Sequence, residues 1–138
     1  MVGQMKTEQT KQPVILLYHI PVQEQIKLMQ VLLRHGCQAV TVTREQYQTT
    51  LGVLAGVTEE TTPAAVYTGS ELPESMMVFC GCPDALLDIL LADLRQSGVK
   101  VSLKAVLTPY NQSWTTLELY RELRQERQAI LVKTRQKS

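Results

Sequence analysis

Two cysteines one residue apart, Cys80 and Cys82, stand just before Pro83 at the start of an expected helix, where the helix dipole lowers a thiol pKa and favours thiolate. Further on come Lys104 and the loop Thr108-Pro109-Tyr110-Asn111-Gln112-Ser113-Trp114, while His19 and Arg44 each follow an apolar run. In open α/β sheets, ligands bind outside the carboxyl ends of the strands, so residues at those ends are the candidates for chemistry. Lys104, Thr108, Asn111, Trp114, His19 and Arg44 are the expected ligand-binding set, suited to a small anion. An enzyme built here would act on an anionic substrate through Lys104, Asn111 and a Cys80 or Cys82 thiolate. Each residue also has a purely structural role open to it. Strand ends are polar because they meet water. Pro109 sets a turn, Asn111 bonds its own backbone, and Ser113 or Thr115 caps the last helix. Trp114 fills the gap between that helix and the sheet. Lys104 snorkels or pairs with Glu118.

Other chemistries find fewer parts. A metal at Cys80 and Cys82 has only His19, His35 and Cys37 to complete it, and the last two follow a helix at the opposite edge, so no metal site is expected. The C-x-C spacing is too constrained for the C-x-x-C redox motif, and both thiols are expected to be structural. G-x-G-x-x-G after a first strand, G-x-x-x-x-G-K-[ST], H-E-x-x-H and G-x-S-x-G do not occur. No catalytic residue and no cofactor is assigned, and the reading leans away from an enzyme.

The elements that position these residues read as two similar units. Val14-Ile15-Leu16-Leu17-Tyr18 runs up to Pro21 and Met76-Met77-Val78-Phe79-Cys80 up to Pro83, a displacement of 83 − 21 = 62 that also carries Leu28 to Leu90, Leu32 to Leu94 and Gly36 to Gly98. Runs apolar throughout suit strands covered on both faces. Each is followed by a proline suited to a first helical turn, an apolar helical stripe (Val22, Ile26, Met29 and Leu33 in the first unit) and a glycine placed to end the helix in a left-handed conformation. Second strands are expected at Gln38 to Val42 and Val99 to Val106. Thr43-x-x-Gln46 and Thr115-x-x-Glu118 match the capping box and open a closing helix in each unit, with stripes of Tyr47, Leu51 and Leu54 and of Leu119, Leu123 and Ile130.

The expected fold is α/β: duplicated strand-helix-strand-helix units forming a four-stranded, mainly parallel sheet, order 2-1-3-4, with helices on both faces. A ferredoxin-like α+β sheet, antiparallel at its centre, is the alternative. Residues 13–132 form a single domain, with one repeat over about 13–57, a linker over 58–74 that leaves room for an edge strand at Ala64 to Thr68, and a second repeat over about 75–132. Residues 1–12 and 133–138 are tails. The helix at Asp84 to Gln96 carries Leu86, Leu87, Ile89, Leu90, Leu91 and Leu94, more apolar surface than one sheet contact consumes, and is expected to mediate a homodimer.

Met77-Val78-Phe79-Cys80-Gly81-Cys82-Pro83, followed by Leu103-Lys104-Ala105-Val106-Leu107-Thr108-Pro109-Tyr110-Asn111-Gln112-Ser113-Trp114-Thr115, resembles the domain of unknown function 3783 family, small bacterial proteins, over residues 76–126. The resemblance implies a small α/β bacterial protein and carries no chemistry with it. Family members commonly hold an aromatic residue where Cys82 stands, so a thiol mechanism common to the family is not implied.

Composition bounds the rest. The 138 residues suit one domain, and 44% hydrophobic with 20% charged residues is ordinary globular usage. A net charge of +1 gives no broad field for nucleic acid or an anionic membrane, and the short basic tail Lys133, Arg135, Lys137 does not change that. No apolar run reaches the length of a membrane span, the start is polar, and three cysteines cannot all pair, so a cytoplasmic chain with reduced thiols is expected. The expected function is a noncatalytic binding or regulatory module with a strand-end cleft for a small ligand or a protein partner.

Overall fold

The computed structural model describes residues 12–137, with side chains of the last helix as far as Arg127. The N-terminal stretch 1–11, Ser138, the Ile130 side chain and those of the basic tail lie outside the described residues. The chain runs β1 (Val14–Tyr18), α1 (Val22–Arg34), β2 (Gln38–Thr41), a 3-10 turn (Arg44–Gln46), α2 (Leu51–Leu54), β3 (Met76–Cys80), α3 (Asp84–Gln96), β4 (Leu103–Val106) and α4 (Thr116–Lys137).

Four strands form one sheet in the order β2-β1-β3-β4, as expected. β1 pairs parallel with β2 and β3 parallel with β4. The central pair is antiparallel, with Val14 opposite Cys80 and Tyr18 opposite Met76. The sheet is therefore mixed, and its two halves point in opposite directions. Ile15, Leu17, Met77 and Phe79 pack on one face against α1 and α3, with Leu28, Val31, Leu32, Leu90 and Leu94. Leu16, Tyr18, Met76, Val78 and Cys80 pack on the other face against Tyr47, Leu51 and Leu119. This alternation explains why β1 and β3 are apolar at every position: each side chain enters one of two covered layers.

Local signals place most ends. Pro21 and Pro83 are the N-caps of α1 and α3 in extended conformation. Gly36 (φ 68°) and Gly98 (φ 74°) end them, with Cys37 N–H donating to Leu32 O and Val99 N–H to Leu94 O, each at 3.0 Å. This is the left-handed closure for which glycine is suited. Both capping boxes form: Thr43 N–H donates to Gln46 Oε1 at 3.0 Å, and Thr115 N–H to Glu118 Oε1 at 2.8 Å.

Several expectations are corrected. The closing helix of the first unit is split into the 3-10 turn and α2, because Leu51 and Gly52 donate their N–H groups to Trp114 O and Gln112 O in the loop between β4 and α4 (2.9 and 2.8 Å). β2 ends at Thr41 rather than Val42, β4 begins at Leu103 rather than Val99, and residues 64–68 form no strand. Helix α4 continues to Lys137, past the expected tail boundary at 133.

The largest correction concerns α1. Its buried residues are Glu24, Leu28, Val31 and Leu32. The stripe Val22, Ile26, Met29 and Leu33 points outward, at 78, 72, 39 and 71% exposure. The helix is amphipathic in two directions, and its polar bonds to α3 and to the segment that follows α3 set the rotation. Arg34 Nη2 bonds Asp93 Oδ1 at 3.1 Å, His35 Nε2 lies 2.9 Å from Asp93 Oδ2, and Glu24 Oε1 accepts Lys100 N–H at 2.9 Å. On α3, Leu90 and Leu94 are buried and Leu86, Leu87 and Leu91 pack against the same core, leaving Ile89 outward at 52%. The flank expected to mark a dimer is thus largely consumed within the chain.

Candidate functional site

Because β1 and β3 run in opposite directions, the carboxyl ends of β1 and β2 lie at one edge of the sheet and those of β3 and β4 at the other. The six expected binding residues consequently do not converge. His19 and Arg44 share one end, while Thr108, Asn111 and Trp114 follow β4 at the other.

The end that holds His19 and Arg44 opens into a cavity of about 770 Å³. Leu17, Ile20, Leu28, Met29 and Val42 supply apolar wall, and Gln25, Thr41, Thr43, Arg44, Glu45 and Glu71 supply polar groups. His19 takes a left-handed backbone (φ 53°), uncommon for a residue with a side chain. Its ring is fixed from both sides, with Nδ1 2.7 Å from Leu72 O and Nε2 3.4 Å from Glu71 Oε1. Arg44 Nη2 meets Glu45 Oε2 at 3.2 Å, and main-chain and Arg44 hydrogen bonds hold the Glu45 carboxyl below its usual range. Tyr47 lies beneath, buried, its hydroxyl accepting Leu72 N–H at 3.4 Å. Burial pushes its phenol up. Glu71 and the Leu72 carbonyl were missed by sequence reasoning, since nothing local marks linker residues that return to β1.

At the other end the candidate side chains are spent on the loop itself. Asn111 is 8% exposed, and its side chain accepts Thr108 N–H at 2.9 Å and donates to Val106 O at 3.0 Å. Thr108 Oγ1 in turn accepts Asn111 N–H at 3.1 Å. This reciprocal lock shapes the loop that holds α2. Trp114 is half-buried, edge-on to Tyr110 with centroids 5.5 Å apart. Lys104 lies on edge strand β4, exposed, and its Nζ bonds Val101 O at 3.2 Å rather than Glu118. On an edge strand the lysine reaches water without a partner or a ligand.

The thiols are equally inward. Burial pushes Cys80 up to about 12 and Cys82 to about 11. Cys80 is buried with its Sγ against Val78 O, and Cys82 packs on the α1–α3 core. Burial therefore outweighs the helix dipole, so neither is a ready thiolate at neutral pH. Among the described residues, no three of His, Cys, Asp and Glu gather to hold a metal ion. No described helix is long and apolar enough to cross a membrane.

Residues 75–130, spanning β3, α3, β4, the β4–α4 loop and the first part of α4, match the sequence profile of a family described as Domain of unknown function (DUF3783). That segment contains Lys104, Thr108, Asn111 and Trp114, whereas the His19–Arg44 cavity is walled by residues outside it. No curated protein and no solved structure matches the chain.

Proposed function

We propose that this chain is a noncatalytic cytoplasmic binding module whose ligand enters the cavity at the carboxyl ends of β1 and β2. The observation that carries the reading is the cavity itself, about 770 Å³ with an apolar floor and a rim of His19, Arg44, Glu45 and Glu71. Its size falls in the range of small-molecule sites. Among the described residues Arg44 is partnered only by its sequence neighbour, and exposed pairs of that kind contribute at most about 1 kcal/mol, so an incoming anionic group displaces Glu45 at little cost. The ligand is accordingly a small molecule with one anionic group for Arg44 and an apolar part for Leu28 and Met29. Three free thiols suit a reducing compartment. The enzyme alternative has less support, because the wall of this cavity includes none of Lys104, Cys80 or Cys82.

Native mass spectrometry of the freshly purified chain tests the proposal. A retained small-molecule mass that is lost in Arg44→Met supports it. No retained mass, together with an unchanged melting temperature across small aliphatic carboxylates and phosphate esters, refutes it.

A further inference from the structure

We propose that the molecule held in the His19–Arg44 cavity is an α-amino acid with an apolar side chain, a reading that rests on the binding role given to that cavity above. Arg44 takes the carboxylate, His19 and Glu71 share the ammonium group, and Ile20, Leu28 and Met29 receive the side chain. The backbone at His19 is the first support. His19 (φ 53°) and Gly81 (φ 73°) hold matching places, each directly after a strand and two residues before the proline that opens the next helix. Both turns need a left-handed residue, which glycine supplies without strain and a residue with a Cβ supplies at a cost. A ring kept in that conformation points to a use for the ring itself.

Hydrogen bonding fixes what that ring offers. Leu72 O can only accept, so the Nδ1 atom 2.7 Å away carries the proton, and in the neutral ring Nε2 is left with a lone pair. That lone pair faces a second acceptor, Glu71 Oε1, at 3.4 Å. Two acceptors so close need a donor that serves both. An ammonium group has three N–H donors and a positive charge, and beside this pair it gives one bond to Nε2 and one to the carboxylate. A proton on Nε2 is the other way to satisfy the pair, and the ligand's ammonium takes its place. Both side chains are about half exposed, at 49 and 52%, and so lie within reach of a molecule entering from solvent.

Charge balance selects a zwitterion over a plain anion. Among the described residues that line the cavity, the ionised side chains are one guanidinium, Arg44, and two carboxylates, Glu45 and Glu71. A carboxylate or phosphate alone adds negative charge to a wall that already carries an excess of it. An amino acid adds no net charge and meets each sign with its opposite. The apolar floor and the volume of about 770 Å³ leave room for an aliphatic or aromatic side chain.

Titration calorimetry of the full chain at neutral pH with L-leucine and L-phenylalanine, each beside its deaminated counterpart, 4-methylpentanoate and 3-phenylpropanoate, tests this. At least one amino acid binds about 10-fold or more tighter than its counterpart, the discrimination a charge-assisted hydrogen bond supplies. Glu71→Gln and His19→Gly each lower the affinity for that amino acid by about 10-fold or more and leave its counterpart's unchanged. Glu71 is half exposed and glycine suits the left-handed turn at 19, so both variants keep the circular dichroism of the wild type. Counterparts that bind as tightly as the amino acids overturn the inference and leave the cavity's binding role standing. Failure of both amino acids to bind, or a Glu71→Gln variant that binds them as the wild type does, overturns it too, while the native mass spectra decide separately whether the cavity holds a small molecule.

Discussion

Tyr18, at the end of β1, and Thr116, in the first turn of α4, are both fully buried, and Thr116 Oγ1 donates to Tyr18 Oη at 3.0 Å across 98 residues of sequence. Burial raises the Tyr18 phenol well above its ordinary range, so the hydroxyl stays neutral throughout the working pH range. Removing one hydroxyl leaves the other desolvated without its partner, which costs about 1–3 kcal/mol, whereas removing both with shape preserved is nearly neutral. Tyr18→Phe and Thr116→Val should therefore each lose about 1.5 kcal/mol, and the double variant about 1 kcal/mol rather than about 3, a coupling of roughly 2 kcal/mol. Each single loss corresponds to a melting shift of about 5 °C for a chain of this size. Urea unfolding followed by the fluorescence of Trp114, the only tryptophan, measures all four corners of the cycle. A double variant that falls by the sum of the singles would refute the idea that this bond anchors α4 to the sheet.

Other outcomes follow from the same structure. Gly36→Ala should cost about 1 kcal/mol by denaturation, from left-handed backbone alone, since nothing lies within 4 Å of an added Cβ. Gly52→Ala should cost more, because its Cβ would stand 2.7 Å from Thr58 Oγ1 and 3.1 Å from Gln112 O; the reverse order counts against this packing. Trp114→Ala should cost about 2 kcal/mol, less than the 3–5 of a fully buried ring, while Lys104→Met stays within about 0.5 kcal/mol; a neutral Trp114→Ala would require the ring to be free. With thiols pushed to about 12 and about 11, Cys80 and Cys82 should resist iodoacetamide at neutral pH until the chain unfolds, and rapid labelling of Cys82 alone would contradict their burial. Hydrogen bonds from His35, then Arg34 and Ser97, hold the Asp93 carboxyl below its usual 3.8. A depressed acid stabilises above its unfolded pKa and loses that contribution as pH falls through the folded one. Asp93→Asn should melt below the wild type at pH 6, with the gap closing below about pH 4; a gap constant across that range would exclude the linkage.

The residues alone determined what depends on a few neighbours in the chain. Two apolar strands, helices opened by proline and closed by Gly36 and Gly98, and capping boxes at Thr43 and Thr115 are local matters of φ angle, missing N–H groups and reciprocal hydrogen bonds, and all stand where their types and spacing put them. The order of the strands was legible too, because short crossovers leave few alternatives. What tertiary structure alone decided was direction and rotation. A strand apolar at every position fits either a parallel or an antiparallel neighbour, so nothing in β1 or β3 encodes their opposed pairing, and that pairing separates His19 and Arg44 from Asn111 and Trp114. Helix α1 carries two apolar stripes, and local pattern cannot choose between them. Asp93, Lys100 and the core residues of α3, at least about sixty residues away in sequence and 76 for the Glu24–Lys100 bond, turn Leu28 and Leu32 inward and leave Ile26 and Leu33 facing out.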